Sequence, residues 1–116
     1  MRRQIGAAMA VIITCGAAHA QMALTLPLPS DATVTATQYQ CDGGRDLAVR
    51  YVNAGANRLA VIPLEGEELL FANVVAASGA RYVSGMWQWW VKGKQATLTR
   101  ADDVDITCQA IADPEN

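Results

Sequence analysis

Met86-Trp87-Gln88-Trp89-Trp90-Val91-Lys92-Gly93-Lys94-Gln95-Ala96-Thr97-Leu98-Thr99 reads as two strands joined by a tight turn. Tryptophan and valine fill the first arm, and Lys92-Gly93-Lys94 supplies the glycine that a short hairpin connection favours. Side chains alternate along a strand, so Trp89 and Trp90 point to opposite faces. One of them belongs in a core and the other at a rim.

The flanking chain repeats this pattern. Leu47, Val49 and Tyr51 alternate with Ala48, Arg50 and Val52, the period of two expected of a strand. Asn53-Ala54-Gly55-Ala56-Asn57 is rich in turn-forming residues. Leu59 to Leu64 continues as a strand, with Pro63 near its end, where a missing N–H costs least. Glu65-Gly66-Glu67 turns the chain again, Leu69 to Val75 is the next apolar run, and Ile106 to Cys108 closes the set. Glu67 to Phe71 is also compatible with a turn or two of helix. About five to eight short strands, spaced by turns roughly ten residues apart, predict an all-β fold, a small antiparallel β-barrel.

The N-terminus reads as an export signal. Arg2 and Arg3 precede an apolar run from Ile5 to Thr14, and Ala18-His19-Ala20 has the small-x-small form of a cleavage site. The run is shorter than the roughly 20 residues of a membrane-spanning helix. Cys15 leaves a second possibility, lipidation and an outer-membrane lipoprotein in place of a soluble periplasmic protein. The expected division is a signal peptide over 1–20, an extended leader with Pro27 and Pro29 over 21–36, and one folded domain over 37–116.

Removing 20 residues would leave 96, enough for one domain. Seven basic residues would then face 11 acids, a net charge of −4. Such a domain is ill suited to nucleic acid, whose phosphates need Lys and Arg, and suits a basic partner better. The single histidine, His19, leaves with the signal, so no imidazole remains for general-base work or zinc. No enzyme activity and no cofactor are expected. Asp102, Asp103 and Asp105 form an acidic turn, which is ordinarily a solvated edge and not a cation site. Cys41 and Cys108, 67 positions apart in an exported chain, admit one pairing. Closing that loop would contribute roughly 4 kcal/mol on the chain-entropy account.

Three segments together carry a family resemblance. Tyr39-Gln40-Cys41 precedes a turn and the Val49-Arg50-Tyr51 strand. Ser78-Gly79-Ala80-Arg81-Tyr82 forms a Ser-Gly-x-x-Tyr segment. Trp89 to Leu98 gives an aromatic strand, a Lys-Gly turn and a return strand. Over roughly Tyr39 to Cys108 the chain thereby resembles the MliC/PliC family, bacterial inhibitors of C-type lysozyme.

The resemblance implies two loops that enter the lysozyme active-site cleft. Ser78, Gly79, Arg81 and Tyr82 would belong to one, Lys92 and Gly93 to the other, with Lys94 less involved. Lys92 would meet the catalytic carboxylates and Ser78 would hydrogen-bond beside it. The partner would be a C-type lysozyme, with membrane contact only through a lipidated Cys15. Two other classes fit the residues without the resemblance: an envelope structural domain, or a β-barrel binding a small apolar ligand through its tryptophans.

Overall fold

The computed structural model describes residue 6 and residues 25–102 and 104–111. Cys15, the signal region around it and Asp103 lie outside the described residues. Eight strands run β1 (Thr33–Cys41), β2 (Arg45–Ala54), β3 (Asn57–Leu64), β4 (Glu67–Val74), β5 (Ala80–Ser84), β6 (Trp87–Lys92), β7 (Gln95–Arg100) and β8 (Val104–Ala110). Each pairs antiparallel with its neighbour in sequence, and β8 returns to β1, closing the barrel. Closure takes the ends of β1 and β8 out of reach of unwanted edge pairing.

Alternation decides what fills the interior. Leu47 and Val49 of β2, Ala60 and Ile62 of β3, and Ala96 and Leu98 of β7 are buried while their neighbours face outward. Phe71 and Trp89 are the largest fully buried side chains, at 0% exposure. Packed aromatics and aliphatics fill the interior, as expected of a barrel of eight strands. Each large apolar side chain so buried contributes about 1.5–3 kcal/mol.

The seam between β1 and β8 has three paired positions, Tyr39 with Ala110, Gln40 with Gln109 and Cys41 with Cys108. The Cys41–Cys108 disulfide spans this seam and ties the two ends of the barrel sheet together. A barrel closed by so short a ladder gains most from a covalent link at that place.

The structure settles one open alternative and moves one boundary. Glu67 to Phe71 is strand and not helix: Glu67, Glu68, Leu69, Leu70 and Phe71 pair in register with Leu64 back to Ala60. The period of two, with Phe71 buried and Leu70 exposed, overrides any local helix preference. The first strand also begins earlier than the prolines suggest, at Thr33, which pairs with Asn53. Thr33-Val34-Thr35-Ala36-Thr37 carries β-branched residues at alternate positions, and the Thr-rich start is strand because β2 is there to pair with it. Pro63 sits where expected, beyond the last β2–β3 pair at Val61.

Two hydroxyls and one indole, partly or fully buried, are satisfied against the barrel core. Trp89 Nε1 donates to Tyr51 Oη at 2.9 Å, and the Tyr39 and Tyr51 hydroxyls share a hydrogen bond of 2.7 Å. Tyr39 also meets Trp89 edge to face, with ring centres 5.0 Å apart. Burial raises the pKa of Tyr51 first and foremost, and its bond to Tyr39 raises it further. Burial raises Tyr39 and Tyr82 as well.

Candidate functional site

Antiparallel order brings the loop between β4 and β5, residues 75–79, to the same end of the barrel as the Gly93-Lys94 turn between β6 and β7. Ser78 and Gly79 are exposed in the first, and Lys92, Gly93 and Lys94 are exposed at the second. They meet through Trp90. Its Nε1 donates to the Ser78 carbonyl oxygen at 2.8 Å, and the Lys92 Nζ lies 4.5 Å from its ring centre. Arg81, directly opposite Trp90 in the β5–β6 register, places its Cζ 5.7 Å from the same ring.

Strand alternation produces this cluster. Trp90 and Lys92 are two residues apart and so share the outer face of β6, while Trp89 between its neighbours turns inward. Gly79 allows the close approach of the loop. It has φ +67°, and a Cβ there would overlap the Val91 carbonyl oxygen and lie 3.0 Å from Lys92 Cγ. Gly93 has φ +61° in open space, so only its backbone angle calls for glycine.

Among the described residues, the charges at this end form no ion pair with an acid. Among the described residues, the ion pairs are Arg50 with Glu68, and Arg100 with Glu65 and Asp102. Neither Lys92 nor Arg81 takes part in one, and the buried Arg81 Nε has no hydrogen-bond partner. From Lys92 a groove of about 290 Å³ runs along the outside of β6 and β7, past Trp90, Gln95, Thr97 and Thr99. The arrangement can present the exposed Lys92 ammonium and Ser78 hydroxyl, beside an indole, to carboxyl groups.

Of the residues expected at the site, Ser78, Gly79, Lys92 and Gly93 are brought together and exposed, and Arg81 is half-buried against Trp90. Tyr82 is different. It is 6% exposed, pairs across the sheet with Trp89 and packs in the core, where it supports β5 from within. Trp90 was not among the expected site residues. Its signal was the Trp89-Trp90 pair, which puts one indole outside but does not say which. Of the acidic turn, Asp102 bonds Arg100 Nε at 2.8 Å and Asp105 accepts from Thr99 Oγ1 at 3.5 Å.

Comparison with known proteins places the chain in a family. Residues 39–107 match the family described as membrane-bound lysozyme-inhibitor of c-type lysozyme, MliC. A membrane-bound lysozyme inhibitor of C-type lysozyme from Cupriavidus necator is 40% identical over 106 residues, spanning 91% of this chain and 85% of that protein. One from Pseudomonas aeruginosa is 39% identical over 101 residues, spanning 81% of this chain and 80% of that one. The crystal structure of Pseudomonas aeruginosa MliC in complex with hen egg white lysozyme superposes with a TM-score of 0.69 at 37% identity, covering 78% of this chain and 96% of that one. PliC-St, a periplasmic inhibitor of C-type lysozyme from Salmonella typhimurium, gives 0.62 at 29% identity, covering 68% and 99%. With this identity across most of both chains and the same barrel in solved members, the chain belongs to the MliC family of C-type lysozyme inhibitors.

Proposed function

We propose that this protein inhibits C-type lysozyme by placing the Ser78 loop and the Lys92 turn in the enzyme's active-site cleft. The observation that carries the proposal is the meeting of Ser78 and Lys92 at one end of the barrel, with Lys92 in no ion pair among the described residues. C-type lysozymes cleave glycan with two carboxyl groups in a cleft, one as acid and one as nucleophile or stabiliser. The Lys92 ammonium supplies the charge and three donors for those oxygens. The Ser78 hydroxyl donates to one carboxyl oxygen or accepts from a protonated one. The Pseudomonas aeruginosa relative has been crystallised with a lysozyme, which supports the choice of partner.

Removing one partner of a buried charge pair costs about 2–5 kcal/mol in affinity. Lys92→Ala is expected in that range in a cell-wall lysis assay, and Ser78→Ala at or below about 2 kcal/mol. Wild-type inhibition by both single variants and by the double variant would remove these residues from the mechanism. The acidic domain would favour encounter with a basic enzyme, so added salt slows association.

The protein acts in the cell envelope on this reading. Cleavage after Ala20 gives a soluble periplasmic form, and lipidation of Cys15 would instead tether the barrel through the leader over 21–36. The relatives named membrane-bound favour the tethered form.

A further inference from the structure

We infer that Trp90 is a positioning residue that joins the Ser78 loop and Lys92 into one pre-ordered unit. The inference rests on the inhibitory reading of those two residues and adds a third, which does not itself need to touch the partner's carboxyls.

Three contacts converge on this one side chain. The indole N–H holds the Ser78 backbone by a 2.8 Å bond. The ring lies 4.5 Å from the Lys92 ammonium, within the range of a cation–π contact. Arg81 approaches the same ring at 5.7 Å from the opposite strand. The bond is to the Ser78 carbonyl, so the Ser78 hydroxyl stays available while its backbone is fixed. A cation–π contact leaves the ammonium's three donors unspent, whereas an ion pair within the chain would use them. Trp90 therefore restrains both functional groups without consuming either. A long lysine and a five-residue loop would otherwise lose their freedom on binding, and prior ordering lowers that cost.

Two substitutions separate the contacts. Trp90→Phe keeps an aromatic ring for Lys92 and removes the N–H that holds Ser78. Trp90→Leu removes both and keeps apolar bulk. Inhibition is expected to weaken about three- to tenfold in Trp90→Phe, by loss of one hydrogen bond. Trp90→Leu should weaken it further, with the melting temperature of both variants close to wild type because the side chain lies outside the core.

The free oxidised protein, studied by NMR, supplies a readout that needs no lysozyme. The Trp90 indole proton is expected to exchange slowly with solvent, and the Lys92 side-chain methylene protons to be shifted upfield by the ring. In Trp90→Phe the Ser78 and Gly79 amides should exchange faster while the Lys92 shift persists. In Trp90→Leu both signatures should vanish, with the Trp89 indole signal unchanged as the mark of an intact core. A Trp90 indole that exchanges freely in the wild type, or variants that inhibit as the wild type does, would overturn the inference. A wild-type protein that shows the NMR signatures but does not inhibit would sink the lysozyme reading and leave the positioning of the two groups standing.

Discussion

The two ends of β6 carry the same pair of groups and use them differently. At one end Arg100 lies 5.6 Å from the Trp87 ring and is held by Asp102 at 2.8 Å and Glu65 at 3.5 Å. At the other, Lys92 and Arg81 approach Trp90, and neither forms an ion pair among the described residues. The Trp87 cluster closes its own electrostatics. The Trp90 cluster, among the described residues, has no acid paired with its cations. A cation over an aromatic ring is thus no sign of function by itself; what distinguishes the ends, among the described residues, is the acid that pairs with Arg100 and the lack of one at Lys92 and Arg81.

Gly79→Ala attacks the open end through its backbone. A Cβ at φ +67° that overlaps the Val91 carbonyl forces the loop to shift, at about 2–3 kcal/mol of stability or a displaced Ser78. Gly93→Ala, with open space around it, should cost only about 1 kcal/mol from its backbone angle. Thermal unfolding and inhibition of the two variants check this difference; equal effects would mean that the close approach of the loop to β6 is not needed.

Gln95→Glu would convert the open end toward the closed one. Gln95 lies opposite Lys92 in the β6–β7 register, so the new carboxylate offers Lys92 a partner within the chain. An exposed cross-strand pair is worth at most about 1 kcal/mol, and inhibition is expected to weaken by up to about fivefold with stability unchanged. The reverse change, Arg100→Ala, breaks the closed cluster and should cost no more than about 1 kcal/mol of stability, leaving inhibition as it was. A loss of inhibition in Arg100→Ala would show that the two ends are coupled.

The smallest effect is in the interior and appears only in alkali. Tyr39, Tyr51 and Tyr82 all have pKa values raised above the ordinary 10.0, burial being the main cause. The folded protein then keeps phenolic protons that the unfolded chain gives up above pH 10. Stability from these groups is complete below pH 10 and declines as pH rises past it. Urea unfolding between pH 9 and pH 11 should show the decline for the wild type and a shallower one for Tyr51→Phe.

Much of the barrel could be read from alternation and turns. The β6–β7 hairpin, the Leu47-Val49-Tyr51 strand and the Cys41–Cys108 pairing all follow from residue type and spacing. What alternation cannot supply is partners. Glu67 to Phe71 became strand because β3 pairs with it, and Thr33 to Ala36 because β2 does. The same limit applies at the site. Ser78 and Lys92 stood out through their resemblance to family segments, yet nothing in the spacing placed the Ser78 carbonyl on an indole. Tyr82 could be assigned to the core only once its pairing with Trp89 was known. Trp90 needed both the register and the loop to be in place before its role appeared.

On the proposed mechanism Lys92 carries inhibition through a carboxylate supplied by the partner. Titration of the oxidised protein into a C-type lysozyme lysis assay, with Lys92→Ala beside it, tests this directly. Inhibition by the wild type is expected, with a loss of about 2–5 kcal/mol in the variant and an unchanged melting temperature. Equal inhibition by the two proteins would contradict it, and so would a folded, disulfide-bonded wild type that does not inhibit.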